Sequence, residues 1–270
     1  MKTLVLANQK GGVGKSAVAS LLAHYFVRQG RRVLAIDLDH QGNFSYPLAL
    51  SKRAFMANLT SDVLLTSSKP QLPGDAFVLV RAGDELLGLE RQPTQHTPFA
   101  RNFRSFLRAQ EGRFDVCVID THPSPDIRLI SALASADFVL SPIQLNQEAI
   151  DGVRGLVAHP LVGILKIKAL LNPRLDFIGL LPTMVEATPF QRANFVQLVE
   201  QHLSLLIRIG PNPGDLASIP KRSAIAEAQA AGLLLWEMKK TAARDAWAEI
   251  EPSVRHIAGI VSGHGASHAV

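Results

Sequence analysis

The sequence predicts an α/β fold, a doubly wound and mostly parallel sheet with helices on both faces. Short apolar runs alternate along the chain with segments that are apolar at helical spacing, which is the pattern of βαβ units. The first apolar run leads into a glycine-rich turn, and a helical stretch follows the turn directly. That order of strand, glycine turn and helix is typical of phosphate-binding α/β proteins.

The elements are assigned in chain order from these two periodicities. Compact apolar runs predict buried strands over residues 3–7, 32–36, 77–81, 116–119, 138–141 and 177–181. Helical spacing predicts helices over residues 16–27, 101–110, 125–134, 191–202 and 236–250. Because strands and helices alternate throughout, the strands are expected to form one parallel sheet.

The chain is expected to form a single domain over residues 1–261, followed by a flexible tail over residues 262–270. It has 270 residues, of which 47% are hydrophobic and 19% charged, as in folded globular proteins. Because the predicted first strand begins at once, neither an N-terminal helix-turn-helix domain nor a signal peptide is expected. No run reaches the roughly 18 apolar residues of a membrane span, and the one cysteine, Cys117, lies within a predicted strand. A cytoplasmic protein is expected.

Residues 8–18, NQKGGVGKSAV, nearly match the phosphate-loop pattern G-x-x-x-x-G-K-[ST]. Gln9 stands where the first glycine is expected, and Lys10 follows it. At the start of a helix, backbone N–H groups can point at one anion; here they would come from Gly12, Val13, Gly14 and Lys15. Lys15 would neutralise the β- and γ-phosphates, and the Ser16 hydroxyl would bind Mg²⁺. The pattern therefore predicts a nucleoside triphosphate site.

Carboxylates follow two of the predicted strands. Asp37 and Asp39 come after the strand over residues 32–36, and Asp120 follows the strand over residues 116–119. Alternation along a strand places Asp37 and Asp39 on one face. Asp120 has the position of a Walker B acid, which holds Mg²⁺ through water. Each aspartate taken alone is equally compatible with a turn or capping role.

Three motifs together resemble the deviant Walker ATPases of the ParA/MinD group. They are KGGVGKS, VLAIDLDHQGN and FDVCVIDTHPS. The combination of VLANQKGGVGKS with DLDHQGN is most similar to ParA partition proteins, also called Soj. The segments ADFVLSPIQLNQEAIDGVRGL and SIPKRSAIAEAQAAG resemble later parts of ParA, so the resemblance covers roughly residues 1 to 260. It implies a P-loop NTPase fold of the deviant Walker type.

The resemblance implies a slow ATPase that dimerises around ATP and Mg²⁺. Lys10 would reach the nucleotide of the other subunit, Asp39 would position the attacking water, and Asp37 would support the metal bound by Ser16 and Asp120. Nucleotide contacts are implied at Lys10, Gly11, Gly12, Val13, Gly14, Lys15, Ser16 and Ala17, with Met184 and Pro220 as candidates around the adenine. The alternative for Lys10 is an ordinary solvated surface lysine.

The resemblance also implies two macromolecular partners besides the second copy of the chain. These are non-specific double-stranded DNA and a centromere-binding ParB-type protein that stimulates hydrolysis, with the protein associated with the nucleoid. The net charge of +5 is compatible with DNA binding but is spread over both halves. Candidate DNA contacts are Arg192, Lys221 and Arg222. A stripe of Arg101, Arg104 and Arg108 is either a further basic surface or an ordinary solvated helix face.

Two histidines depart from the family pattern, and two other functions stay open. His40 and His122 stand where prolines are usual, and each is either a modifier of pH dependence or a bystander. A MinD-like membrane-associated ATPase would need a basic amphipathic C-terminal helix, whereas residues 259–266 contain glycines spaced to interrupt one. A metabolic ligase or reductase would need substrate groups or cluster cysteines that the motifs do not supply.

Overall fold

Eight parallel strands form the centre of the fold in a computed structural model, which describes residues 1–160, 162–212 and 214–263. Their order across the sheet is β3-β4-β2-β5-β1-β6-β7-β8. The strands are β1 (Lys2–Leu6), β2 (Val33–Asp37), β3 (Phe55–Thr60), β4 (Phe77–Arg81), β5 (Val116–Asp120), β6 (Phe138–Gln144), β7 (Asp176–Val185) and β8 (Ile219–Pro220). The predicted doubly wound α/β fold is confirmed.

Helices cover both faces of the sheet, so the sheet separates two apolar cores. One core is covered by α3 (Ser61–Thr66), α4 (Leu86–Leu89), α5 (His96–Ala109), α6 (Ile127–Ser135), α7 (Gln147–Ala158), α8 (Ile164–Leu170) and α9 (Pro189–His202). The other is covered by α1 (Lys15–Arg28), α2 (Ser45–Leu50), α10 (Ser223–Ala231) and α11 (Thr241–Val261). In β5 the side chains alternate, since Cys117 enters the first core and Val118 the second.

The sequence did not predict strands β3 and β8 and misplaced the start of the last helix, and each difference has a physical reason. β3 is an edge strand whose side chains are half exposed, so it lacks the apolar run of a buried strand. β8 has two residues, too few for any periodicity. The helix expected over residues 236–250 was placed too early: a short 3₁₀ turn ends at Glu237, and α11 starts at Thr241.

The C-terminal helix also extends further than the glycines suggested. α11 continues through Pro252 and Gly259 to Val261, so the expectation that Gly259 would interrupt a helix there was wrong. Its last apolar side chains, including Ile257 and Ile260, are buried in the second core. None of the described helices combines the length and apolar character that a membrane span requires. Most of the predicted tail, residues 264–270, lies outside the described residues.

The strand register brings the expected functional residues to one edge of the sheet. β5 lies between β1 and β2, and Asp120 is the register partner of Leu6 on one side and of Asp37 on the other. Because all three strands are parallel, their carboxyl ends meet where β1 continues toward α1. Ligands of open α/β sheets bind outside this edge, which is where the candidate site lies.

Candidate functional site

The segment between β1 and α1 is a glycine loop with two left-handed residues. Gly12 has φ 74° and Gly14 has φ 83°, values that a residue with a Cβ adopts only under strain. A Cβ placed on Gly12 would have no atom within 4 Å, so the space in front of the loop is open. Lys15 begins α1, so the free N–H groups of this helix terminus lie beside that space. The loop has the backbone shape of an anion cradle.

Side chains at the ends of several strands fix the glycine loop by hydrogen bonds. Asn8 donates from Nδ2 to the carbonyl oxygen of Pro142 at 2.8 Å and accepts the Lys10 amide at its Oδ1 at 2.8 Å. Gln144 Nε2 donates to the Gly12 carbonyl at 3.0 Å, and the Thr183 hydroxyl lies 2.8 Å from the Val13 carbonyl. The loop is therefore fixed by β6 and β7 as well as by its own strand.

The Ser16 hydroxyl donates to Asp120 Oδ2 at 2.6 Å, at the point where β5 ends. Asp120 is fully buried, and its second oxygen, Oδ1, has no hydrogen-bond partner within the described residues. Burial raises the pKa of Asp120 to about 8, and the negative charge of Asp37 adds to the shift. An alcohol oxygen beside a carboxylate with a free oxygen fits the ligands that Mg²⁺ prefers.

Asp37 is buried beside Asp120 but is already engaged. Its Oδ1 accepts the amide of Asp39 at 3.0 Å, and its Oδ2 accepts the amide and the hydroxyl of Ser45 at 2.8 and 2.7 Å. Burial raises its pKa to about 6. The structure thus places this predicted metal residue behind the site, with both oxygens directed at the loop that carries Asp39 and at the start of α2.

Lys15 is buried at the centre of the loop, only 6% exposed. Its Nζ donates to the Lys10 carbonyl oxygen at 3.1 Å. Burial lowers its pKa, while the charges of Asp120 and Asp39 act in the opposite direction. A desolvated ammonium beside an open anion cradle gains electrostatic energy when an anion enters, because the local dielectric constant is low.

Lys10 differs from Lys15 in where its charge lies. Its Nζ donates to Asn146 Oδ1 at 3.1 Å and to Glu148 Oε2 at 2.5 Å. These contacts direct the amine toward the start of α7, beside a cavity of about 290 Å³ that is separate from the cleft in front of Lys15. The Lys10 ammonium holds the pKa of the Glu148 carboxyl below its usual range.

A cleft of about 670 Å³ opens in front of the glycine loop. Most of the predicted site residues line it: Gly11, Gly12, Gly14, Lys15, Ser16, Ala17, Asp39 and Met184. Pro220 does not, since it lies in β8 beside Val185. Side chains that the sequence analysis missed complete the walls: Gln41, Asn43, Tyr46, Pro47, Pro123, Gln229 and Ala230. They come mainly from α2 and α10, which approach closely because Gly232 (φ 63°) has no Cβ to meet Leu50. Tyr46 and Pro47 lie outside the motifs that resemble the family, and within those motifs nothing singles out the other five as cleft residues.

The three basic residues predicted to contact DNA lie on the surface, and two of them are paired. Arg192 is exposed in the first turn of α9. Lys221 Nζ lies 3.3 Å from Glu186 Oε2, and Arg222 makes two bonds to Glu249 at 2.8 and 2.9 Å. Exposed pairs of this kind contribute little free energy, so a phosphate can replace the carboxylate at small cost.

The arginine stripe on α5 is only partly available. Phe103, Phe106 and Leu107 are buried as predicted, and Arg101 and Arg108 are exposed. Arg104 instead donates to the carbonyl oxygens of Ala134 and Leu171. Its guanidinium therefore fixes the ends of α6 and α8, and the stripe is interrupted at its centre.

Comparison with known proteins decides the family. The AAA domain family AAA_31 matches residues 1–177. Protein IncC of Escherichia coli is 34% identical over 255 residues, covering 93% of this chain and 67% of IncC. The chromosome-partitioning ATPase Soj of Thermus thermophilus is 36% identical and covers 75% of this chain and 76% of Soj. This chain belongs to the ParA/Soj family of partition ATPases. The membership predicted from the motifs is confirmed, and a third relative, the ParA of Caulobacter vibrioides, is 30% identical over 88% of both chains.

Solved structures agree on the fold of this ParA-type ATPase. Cobyrinic acid a,c-diamide synthase from Mycobacterium smegmatis, solved with ADP and magnesium, has a TM-score of 0.70 at 24% identity and covers 100% of this chain and 98% of its own. A putative plasmid partition protein from Borrelia burgdorferi, bound to AMPPNP, has a TM-score of 0.67 at 20% identity over 94% of this chain and 98% of its own. A synthase and a partition protein thus share this fold, and the family assignment rests on the 30–36% identity to IncC, Soj and ParA.

Replacing Asp120 with Asn is expected to flatten the pH dependence of stability of the nucleotide-free protein. Asp120 has a raised pKa in the fold, so between about pH 4 and pH 8 the folded chain holds a proton that the unfolded chain has lost, and stability falls as pH rises. The wild type loses up to about 1.4 kcal/mol per pH unit of that range through Asp120. Asp120→Asn lacks this loss and keeps only the smaller loss, in the lower part of the range, that the raised pKa of Asp37 produces. Thermal unfolding at about pH 5 and about pH 8 measures the difference.

Asp115→Asn is the matched control for this experiment. The Arg32 guanidinium lowers the pKa of Asp115 to about 2, so this carboxyl is ionised in both states throughout the range. Its removal is expected to leave the slope between the two pH values unchanged. Equal slopes in the wild type and Asp120→Asn would contradict the assignment of a buried, proton-holding carboxyl to Asp120.

Proposed function

We propose that the chain is an ATP-dependent switch for DNA partition, in which two copies dimerise around ATP and the dimer binds double-stranded DNA. Slow hydrolysis, stimulated by a centromere-binding ParB-type protein, returns it to the unbound state. The observation that carries the proposal is the position of Lys10. It belongs to the phosphate loop, yet its amine is directed away from the cleft that Lys15 faces.

ATP and Mg²⁺ are assigned to the cleft from the donors around it. The cradle from Gly11 to Ala17 receives the phosphates, and Lys15 exchanges the Lys10 carbonyl for phosphate oxygens. Ser16 and Asp120 hold Mg²⁺, Asp120 directly or through water, while Asp37 keeps the supporting loop in place. When bound, Mg²⁺ neutralises charge on the β- and γ-phosphates. Met184, Tyr46 and Pro47 provide surface around the nucleoside.

Asp39 is the residue assigned to the attacking water. It is 7% exposed, lines the cleft, and is oriented by the Gln41 amide, which donates to Oδ1 at 3.1 Å. From that position its carboxylate accepts a hydrogen bond from a water in line with the γ-phosphorus. The water's oxygen forms the new bond to phosphorus as the bond to the β–γ bridging oxygen breaks, giving ADP and phosphate. Positioning and charge stabilisation supply the rate enhancement.

Lys10 acts on the nucleotide of the other subunit in this proposal. Asn146 and Glu148 hold its amine on the subunit surface, where side-chain exposure is 30% for Lys10 and 84% for Glu148. Such a pair is screened by water and breaks readily. In the dimer, the triphosphate of the facing subunit replaces Glu148 as the anion, and dimerisation therefore depends on the γ-phosphate.

DNA binding follows from dimerisation, because two copies double the positive surface that one copy presents. Arg192, Lys221 and Arg222 are proposed to contact the backbone phosphates, with the two pairs to Glu186 and Glu249 exchanged for phosphate. The protein is proposed to be cytoplasmic and to associate with the nucleoid. The MinD-like alternative is disfavoured by α11, whose last described turns are buried in the core.

Lys10→Ala is expected to abolish ATP-dependent dimerisation while ATP affinity stays within about tenfold of the wild type, because Lys15 still binds the phosphates. Glu148→Gln removes the competing anion, so it should dimerise at an ATP concentration equal to or below that of the wild type. Light scattering coupled to gel filtration, with ATP and with ADP, measures both.

The matched control is Lys240→Ala, since Lys240 also pairs with a surface carboxylate, Glu227, and lies outside the site. A Lys10→Ala protein that still dimerises with ATP would refute the trans role.

Binding to non-specific duplex DNA tests the function itself. It should require ATP, fail with ADP or without nucleotide, and weaken as salt rises from about 50 to 200 mM. Lys221→Ala combined with Arg222→Ala should weaken binding equally for unrelated DNA sequences. Anionic vesicles are the parallel surface. Binding to vesicles and not to DNA would replace this proposal with the MinD-like function, and binding to neither would replace it with a metabolic one.

A further inference from the structure

His40 and His122, the two departures from the family pattern, lie side by side, and His122 lines the cleft. His40 follows the strand end that carries Asp39, and His122 follows the strand end that carries Asp120. The two rings have centroids 5.0 Å apart and an interplanar angle of 39°. Because β2 and β5 are neighbours in the sheet, the fold brings these residues together although 82 positions separate them in the sequence.

A carboxylate completes the group. Asp39 Oδ1 lies 3.5 Å from His40 Nδ1, and one ligand atom from each of Asp39, His40 and His122 lies within 4.8 Å of the others. Zn²⁺ binds nitrogen and oxygen at about 2.0–2.2 Å, so neighbouring ligand atoms in a tetrahedral site are roughly 3.3–3.6 Å apart. The Asp39–His40 edge already has this length, and a ring nitrogen of His122 would have to move closer, from within 4.8 Å, to complete the site.

The hydrogen bonds of His40 leave one ring nitrogen available. His40 Nδ1 is buried from solvent and has no hydrogen-bond partner in the described part of the chain. Its Nε2 lies 2.7 Å from the side-chain amide nitrogen of Gln41. With that amide turned over, its oxygen accepts the Nε2 proton and leaves the Nδ1 lone pair facing Asp39. Metal-binding histidines are commonly oriented by such a partner on the second nitrogen.

Metal binding by these three residues would change some of their present hydrogen bonds. His122 Nδ1 accepts the Ser124 amide at 3.1 Å, a bond that is released either when Nδ1 binds a metal or when the proton moves to Nδ1 and Nε2 binds it. Asp39 Oδ1 also accepts the Gln41 amide at 3.1 Å, so a metal ion would share this oxygen with the amide or bind the other carboxylate oxygen. Arg128, the cation near His122, is paired with Asp126.

We propose that Asp39, His40 and His122 bind one divalent transition-metal ion, of which Zn²⁺ is the probe, with water in the fourth position. Two imidazoles and one carboxylate suit zinc, cobalt or nickel, whereas Mg²⁺ prefers oxygen ligands alone. The site is therefore distinct in chemistry from the Ser16 and Asp120 site, although Asp39 and His122 line the same cleft as Ser16.

The consequence for hydrolysis rests on the proposed role of Asp39. A carboxylate that binds zinc is no longer free to accept a hydrogen bond from the attacking water. Zinc occupancy would therefore inhibit hydrolysis in this chain. A relative with prolines at both histidine positions lacks these ligands and would not be inhibited by zinc in this way. Metal binding and its inhibitory effect are separate measurements, so either proposal can fail without the other.

Zinc binding is tested on the full-length, tag-free and chelator-stripped protein without nucleotide, by competition with a chromogenic zinc indicator. One Zn²⁺ per chain is expected beyond the binding of the double variant His40→Ala/His122→Ala, and each single variant should weaken it by at least about tenfold. His96→Ala, far along the chain on α5, is the control and should bind as the wild type does. Excess Mg²⁺ should not displace the ion.

Cobalt substitution gives a readout that does not depend on how the variants fold. Co²⁺ in a tetrahedral site of this kind absorbs visible light strongly, so the wild type should develop visible bands that added Zn²⁺ removes. Melting temperatures confirm that the variants are folded. Zinc binding by the wild type that equals that of the double variant, or cobalt spectra like those of the free ion, would overturn the proposal.

Discussion

The burial of acidic side chains at the carboxyl edge of the sheet is the constraint on which the site depends. The register of β2 and β5 places Asp37 beside Asp120, both fully buried, and Asp39 follows within two residues. Burial raises the pKa of both Asp37 and Asp120, and neighbouring negative charges add to each shift, so their ionised forms require positive partners. The buried Lys15 supplies one, and an ion held between Ser16 and Asp120 would supply another. An anion must also come close to the backbone of the loop, which explains the left-handed glycines Gly12 and Gly14.

Local sequence patterns predicted the parts of the site that one strand end or one loop can encode. The phosphate loop, the aspartates after β2 and β5 and the doubly wound fold all follow from short-range periodicity and turn chemistry. Contacts between distant segments of the chain could not be predicted from such short-range patterns. Nothing near Lys10 predicts its bond to Glu148, 138 positions away, and nothing near Pro47 predicts that α10 faces it across the cleft.

The fold and the cleft by themselves do not separate partition proteins from metabolic relatives. A diamide synthase and a plasmid partition protein match this chain with similar TM-scores, and the identity to IncC and Soj assigns the family. Lys10 is paired with Glu148 beside a separate cavity, whereas His122, whose ring lies 5.0 Å from that of His40, lines the cleft. The two proposals above assign to each group an effect on the nucleotide site that leaves the sheet unchanged.

The central claim is that Lys10 serves the nucleotide of the facing subunit, and mixing two inactive variants tests it most directly. Lys10→Ala keeps its own phosphate site but gives no lysine, whereas Lys15→Ala loses its phosphate site but still offers Lys10. A mixed dimer holds one complete site only if Lys10 acts in trans. The account predicts that the mixture, with DNA present, hydrolyses ATP well above the sum of the separate proteins. A rate equal to that sum would contradict it.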